Sequence, residues 1–306
     1  MTIKKIKKKN IALVSSLFAA AFTACLAYSY FIEPNRLVVT REEIRIKDWD
    51  PAFDGLRIAL ISDIHGGSNG ASAEHIRRVV ETTNAADPDV IVLLGDYVSQ
   101  GSTRRPSHER PLRMPMSEIA DNLAGLSAKY GVYAVLGNHD GWYGDNEVTA
   151  ELTRVGYRVL QNEIVVIQQN GKPLRLFGLK DHLKLASWDT FDPMVRSTIA
   201  ANPKEGQIVV LEHSPDILYV LNYWKNLNPD LKLVLAGHTH GGQVRIPILG
   251  APVVPSAVGQ RYAQGHVEEE GIHMFVTSGV GTSILPFRFM VPPEVAIVTI
   301  KSATSP

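Results

Sequence analysis

A single cysteine, Cys25, occurs among 306 residues, which excludes an intramolecular disulfide framework and any zinc finger built on thiolates. An excess of one charge is also lacking. The 31 Lys and Arg balance the 31 Asp and Glu, so no overall basic field points to nucleic acid. The pattern Gly-x-x-x-x-Gly-Lys-[Ser/Thr] is absent, which argues against a P-loop nucleotidase. No internal repeat or low-complexity tract occurs apart from a lysine-rich start. What remains is a globular composition, 45% hydrophobic and 20% charged, which excludes a mainly disordered chain. Ten histidines are present, and five of them fall inside short motifs.

The neutral balance hides an asymmetry. Lys4, Lys5, Lys7, Lys8 and Lys9 stand against one acid, Glu33, in residues 1–33, and setting these six aside leaves 26 bases against 30 acids. The lysines precede an uncharged run whose core, Ile11–Ile32, would make a helix of roughly 33 Å at ~1.5 Å per residue. That length crosses a hydrocarbon layer of about 30 Å. Tyr28 and Tyr30 stand near its far end, where amphipathic rings favour the membrane interface. Lysines on the cytoplasmic side would leave the rest of the chain outside the cytoplasm. Two other readings stay open. Cys25-Leu26-Ala27 is a poor match to a signal-peptide cleavage site, and Phe22-Thr23-Ala24 before Cys25 is an unusual setting for lipidation.

Beyond the run, residues 33–54 read as a polar linker entering an edge strand, with alternation at Leu37–Val39 and Ile44–Ile46. A βαβ pattern follows: Leu56–Ser62, a helix over Ser72–Asn84, then Val90–Leu94. Ser117–Ala128 reads as a helix with Ser117 as N-cap, and Val132–Leu136 as a further strand. Asn170-Gly171 between Ile164–Gln168 and Leu174–Leu179 is a strong hairpin signal. Trp188–Ala200 reads as a helix, and Ile208–Leu211, Leu233–Ala236, Gln243–Ile246, His273–Thr277 and Val295–Ile300 as strands. One α/β domain behind an anchor is the economical organisation.

Five short apolar strands each run into residues able to bind metal. They lead into Asp63-Ile64-His65, Gly95-Asp96, Gly137-Asn138-His139-Asp140, Glu212-His213 and Gly237-His238-Thr239-His240. Ligands of open α/β sheets gather outside the carboxyl ends of strands, so residues far apart in sequence can converge there. Asp63 with His65, and His238 with His240, point the same way where the chain is extended. Mixed carboxylate, amide and imidazole donors suit Mn, Fe or Zn better than Ca or Mg. Each motif alone is weak, but the ordered set of five reads as a metal site. Seven ligand candidates exceed the needs of one tetrahedral ion and imply two.

This series resembles the calcineurin-like metallophosphoesterase superfamily over residues 56–300. The Gly-His-Thr-His-Gly-Gly-Gln form at 237–243, and Gly281-Thr282-Ser283, Pro286-Phe287-Arg288-Phe289 and Pro292-Pro293-Glu294, resemble a bacterial membrane-associated branch. That branch includes envelope phosphodiesterases and a UDP-2,3-diacylglucosamine pyrophosphohydrolase of lipid A synthesis. The resemblance implies two packed mixed β-sheets flanked by helices, with a dinuclear site at strand carboxyl ends. With the apolar run read as an anchor, the chain divides into a basic tail (1–10), an anchor (11–32), a linker with an edge strand (33–54) and, where the resemblance lies, a metallophosphoesterase domain (55–303). Asp63, His65, Asp96 and His240 would hold one divalent ion, and Asp96, Asn138, His213 and His238 the other. Mn is favoured for assays in vitro.

Hydroxide between the ions would attack phosphorus in a phosphodiester or diphosphate, lipid-borne substrates included, with His139 as general acid or transition-state donor. Asp140 either accepts the other ring N–H of His139 or is a turn carboxylate. A UDP-linked substrate is cytoplasmic and so conflicts with the lysine flank, whereas an envelope diester does not. A catalytically silent scaffold is a second class of function, but all seven ligand positions and His139 carry the expected types. A nuclease is disfavoured by the acidic excess after residue 33. His75, His108, His266 and His273 read as ordinary, and Asp181-His182 as a rim feature outside the site. Arg104, Arg105, Arg110 and Arg113 read first as a solvated loop and second as an anion contact. Specificity is expected in loops 99–116, 141–147 and 181–192.

Overall fold

The computed structural model describes residues 2–101, 106, 109–185, 187–202, 205–223 and 228–303. Arg104, Arg105 and His108 of the arginine loop lie outside the described residues.

The chain opens with α1 (Thr2–Ala27), continued by one π-helical turn at Tyr28–Ile32. The apolar stretch within Asn10–Asn35 has a mean hydropathy of 2.0, and none of it is buried against protein. A helix that is apolar all round and touches no core is long enough and apolar enough to cross a bilayer.

Three strands of the first half and the last strand of the chain form the centre of one sheet. It comprises β1 (Val38–Lys47), β12 (Glu294–Ala303), β2 (Leu56–Ile61), β3 (Val90–Leu94), β4 (Val132–Val135) and β5 (Arg158–Val159), in that spatial order. From β2 to β5 all pairs are parallel, and β12 runs antiparallel to β2 and parallel to β1. A second sheet is ordered β10 (Gly265–Glu269), β11 (Ile272–Val276), β9 (Leu231–Ala236), β8 (Gln207–Leu211), β7 (Lys172–Gly178) and β6 (Glu163–Gln169). Its centre is parallel and its two outer pairs are antiparallel.

The sheets pack face to face. Ile58, Leu60, Val92 and Leu94 from the first meet Leu176, Val209, Leu211 and Leu235 from the second in one buried cluster. The outer face of the first sheet is covered by α2 (Ala73–Ala85), α3 (Met116–Leu123) and α5 (Asp145–Arg154). That of the second is covered by α6 (Phe191–Ala201) and α7 (Ile217–Tyr223). Strands buried on both faces need apolar residues at every position, which is why β3 reads Val-Ile-Val-Leu-Leu without alternation. Alternation survives in β1, the edge strand, whose burial switches residue by residue along ten positions.

Several local expectations correspond to the structure. Asn170 and Gly171 form the β6–β7 turn with φ of 52° and 74°, the pair of left-handed residues that a type I′ hairpin requires. Ser72 caps α2 by accepting the His75 N–H at 3.2 Å.

Others differ. The third helix begins at Met116 after Pro115, so Ser117 is not its N-cap. It stops at Leu123 because Ala124 is extended and Gly125 has φ of 98°. Gln243–Ile246 is not a strand. Gln243 has φ of 58° and Pro247 lacks an N–H, so only the isolated bridges Val244–Phe289 and Ile246–Gly250 form. The stretch 141–147, expected as loop, lies mostly within α4 (Asn138–Tyr143) and α5.

Leu176 is fully buried between the sheets. Leu176→Ala should therefore cost about 2–5 kcal/mol, read as a lower midpoint in urea unfolding with little change in slope.

Candidate metal centre

The carboxyl ends of β2, β3 and β4 in one sheet and of β8 and β9 in the other meet at one edge of the sandwich. All seven ligand candidates converge there, so the sequence pattern and the topology select the same place. Asp63, His65, Asp96, His213 and His240 are at most 5% exposed. Asp63 (φ 55°), His65 (45°), Asp96 (56°), His238 (70°) and His240 (52°) all adopt left-handed backbone. Such residues are uncommon outside glycine and cost on the order of 1–3 kcal/mol each. The turns are tight enough that a Cβ on Gly237 would stand 2.0 Å from Ser62 Oγ and 2.7 Å from Asp63 Oδ2.

Two groups of donors meet at one carboxylate, that of Asp96. Asp63, His65 and His240 form one, and Asp96, His213 and His238 the other. Asp96 Oδ2 lies 3.5 Å from His65 Nε2 and 3.3 Å from His213 Nε2, between the groups. Its other oxygen accepts the His139 backbone N–H at 2.9 Å. Across the first group, His65 Nε2 faces His240 Nε2 at 3.1 Å, and His240 Nε2 is 3.3 Å from Asp63 Oδ1. Across the second, His238 Nδ1 faces His213 Nε2 at 3.2 Å. Backbone carbonyls orient two of the rings from behind. His65 Nδ1 donates to Val98 O at 3.2 Å and His213 Nδ1 to Leu94 O at 2.7 Å, leaving each Nε2 toward the centre.

Burial sets the protonation. It pushes His65 and His238 down to about 3 and His240 well below its ordinary value, so these rings are neutral and offer lone pairs. Asp63 is pushed up to about 6 by burial. Burial alone would also raise Asp96, but the neighbouring His213 and His139 outweigh it and hold that carboxyl well below its ordinary range. His213 moves the opposite way. Burial opposes its charge, yet Asp96 beside it raises it well above normal.

The donor set fits divalent cations. Among the described residues, none donates a hydrogen bond to the buried Asp63 Oδ1 or Asn138 Oδ1. Ring nitrogens face one another in pairs, and neutral imidazole with carboxylate is the chemistry of Mn, Fe and Zn sites. His139 falls within reach of both His65 and Asp96. Its ring packs edge-on to His65, with centroids 4.8 Å apart, and lies 4.7 Å from that of Trp142.

Asp140 is not turned toward the His139 ring. Its carboxylate accepts backbone N–H groups from Gly137 (2.9 Å), Asp96 (2.8 Å), Tyr97 (2.9 Å) and Val98 (3.2 Å). Those hydrogen bonds make it the turn carboxylate, locking the β3 exit against the start of α4. Arg288, fully buried, plays a similar part on the other side. It donates to the carbonyls of Ser278, Gly281 and Val291 at 2.8, 2.6 and 3.1 Å, and lies 3.5 Å from His240 Nδ1.

A third cluster, Asp181, His182 and Glu212, adjoins His213, with His182 Nδ1 2.8 Å from Glu212 Oε1. His266 and His273 stack on each other and His75 contacts Arg78. The cavity over the centre, about 480 Å³, is lined by Asp96, Asn138, His139, His238 and His240 and also by Trp142, Val253, Ile284 and Leu285. Among the described residues of the loops expected to carry specificity, only 141–147 contributes to this wall. The segments 252–255 and 283–285 were missed, because their apolar residues carry no chemistry of their own.

The profile described as calcineurin-like phosphoesterase matches residues 56–242. A Bacillus subtilis (strain 168) protein named uncharacterized metallophosphoesterase YkuE is 29% identical, over 98% of this chain and 99% of its own. Phosphodiesterase YaeI of Escherichia coli (strain K12) is 28% identical, over 91% of this chain and 93% of its own. A Danio rerio protein named transmembrane protein with metallophosphoesterase domain is 27% identical, over 94% of this chain and 63% of its own.

Asp140→Ala would leave four buried N–H groups without an acceptor, a loss of about 3 kcal/mol or more. Thermal unfolding should reveal it together with weakened Mn²⁺ binding by calorimetry. A fall in turnover with stability and metal binding intact would return Asp140 to the His139 ring.

Proposed function

The chain belongs to the calcineurin-like phosphoesterase family, a hydrolase by that membership, and from its paired donor groups we propose that it cleaves a phosphodiester or diphosphate bond at a membrane surface with two divalent ions. Asp63, His65, Asp96 and His240 would hold one ion, and Asp96, Asn138, His213 and His238 the other. The observation that carries this reading is the position of Asp96 Oδ2, within 3.5 Å of a histidine from each group. When bound, the ions supply Lewis-acid stabilisation of the phosphoryl charge and acidify water.

The chain's own residues do the rest. Neutral His65, His238 and His240 present lone pairs without first losing a proton. His139 lines the cavity beside Trp142 and would give a proton to the leaving oxygen, so that an alcohol departs neutral and a phosphate with one negative charge fewer. Proximity of His139 to His65 and Asp96 supports a second reading, in which it binds metal. A name such as phosphodiesterase YaeI for a relative favours diesters over monoesters.

The exposed apolar helix supports membrane attachment through residues 11–32, and the five lysines ahead of it favour a bacterial envelope enzyme with its domain outside the cytoplasm. That placement favours an envelope diester over a UDP-linked lipid precursor. A silent scaffold is disfavoured by the full set of donors.

With the full chain in detergent, bis(p-nitrophenyl) phosphate should be hydrolysed faster than p-nitrophenyl phosphate. Chelation should abolish that activity and Mn²⁺ restore it. Asp96→Asn should lose bound metal and activity together. His139→Ala should lower turnover by about 10²–10⁴-fold while metal content, measured by mass spectrometry, stays at two ions. Metal lost from His139→Ala would instead make it a ligand.

A further inference from the structure

The cavity over the candidate centre has an apolar wall that continues onto an exposed apolar surface. Ile284 is 97% exposed and Val253 74%, while Ile248 is fully exposed and Leu249 and Leu285 more than half. Two of these residues are strained as well as exposed. Ile248 has φ of 72° and Ile284 of 57°, a region that β-branched side chains avoid. Strain of this kind persists where function holds it. The segments around them are also free of formal charge: no Asp, Glu, Lys or Arg occurs from Ile246 to Gln260, or from Gly271 to Phe287. Contiguous apolar surface of this sort marks a contact with protein or membrane.

The fold decides between those two. The Ile284 loop is fastened to the end of the apolar helix. Arg288 N–H donates to Ser29 O at 3.0 Å, Asn69 Nδ2 donates to Tyr30 O at 2.7 Å and to Pro286 O at 2.9 Å, and the Tyr30 and Phe287 rings lie 5.8 Å apart. The Ile248 loop is fastened to the Ile284 loop in turn. Arg245 N–H donates to Phe289 O at 2.8 Å, and Gln243 Nε2 to Leu285 O at 3.0 Å. The bases of both loops are thus tied to the end of the apolar helix, where Phe31 and Ile32 are exposed by 69% and 54%. Gln243 lies three residues from His240, so the same turn carries a candidate ligand and the apolar loop.

We propose that the Ile248 and Ile284 tips sit in the membrane interface beside the anchor, and that the substrate is a lipid phosphodiester loaded from the bilayer. One acyl chain would lie against Val253, Ile284 and Leu285 while the phosphate faces the histidines. This rests on the two-ion hydrolysis proposed above. Water oxygen bonds to phosphorus, the bond to the leaving oxygen breaks, and that oxygen takes a proton, giving a phosphomonoester and an alcohol, one of which keeps the lipid.

The test uses the full chain in vesicles of phosphatidylcholine and phosphatidylglycerol with two chromogenic diesters, methyl p-nitrophenyl phosphate and dodecyl p-nitrophenyl phosphate. The dodecyl ester should be cleaved with kcat/KM at least about tenfold higher, since each buried methylene favours binding. An Ile248→Asn and Ile284→Asn double variant, whose new residues tolerate left-handed backbone, should narrow that ratio toward one. An Ile248→Trp variant should gain fluorescence that brominated lipids quench. Equal rates for the two esters, or no added quenching, would overturn the lipid inference and leave two-ion hydrolysis standing. Failure to cleave either ester in metal-loaded protein would remove the hydrolytic reading, and this inference with it.

Discussion

The carboxylate of Asp96 sits in an interior nearly closed to water, where an unpaired charge would cost several kcal/mol. Much of the surrounding architecture keeps that charge tolerable. His139 N–H binds one oxygen, His65 and His213 approach the other, and the Asp140 carboxylate holds the backbone on either side in place. Raising His213 and depressing Asp96 are two faces of that one attraction. Divalent cations answer the same need more fully, because they neutralise two carboxylates and draw on imidazoles that burial has already made neutral. The left-handed turns at Asp63, Asp96 and His238 are the backbone expression of this demand.

Two sheets rather than one make such crowding feasible. A single sheet would deliver the β2, β3 and β4 termini in a row, whereas the sandwich adds β8 and β9 from across the interface. Donors therefore surround the centre instead of lining it. Interior packing between Leu60, Leu94, Leu211 and Leu235 fixes the separation of the two sheets, and with it the reach of Asp96 to both histidine groups. Trimming that packing should be felt as changed metal affinity before the fold itself is lost.

What was legible in the sequence was legible for physical reasons. Strands buried on both faces announce themselves as unbroken apolar runs, and donors at their ends stand out because Asp and His seldom follow such runs by accident. Asn170-Gly171 was readable because few other pairs accept two left-handed residues. Asp140 was only half readable, since three of the four backbone N–H groups it serves come from a turn some forty residues away. Exposed isoleucines in 246–249 and 283–285 looked like ordinary apolar residues, their meaning residing in attachment to the helix end. The Gln243–Ile246 segment looked like a strand by composition, and its turn geometry could be seen only with the bridge to Phe289.

The position of β12 sets the order of events during synthesis. That strand lies between β1 and β2, so residues about 250 positions apart must meet before the first sheet closes. While the ribosome is still adding the middle of the chain, the edge of β2 has no partner, and the apolar helix at the start has already emerged. Closure over such a span is slow, which leaves the nascent domain open until its final strand has arrived.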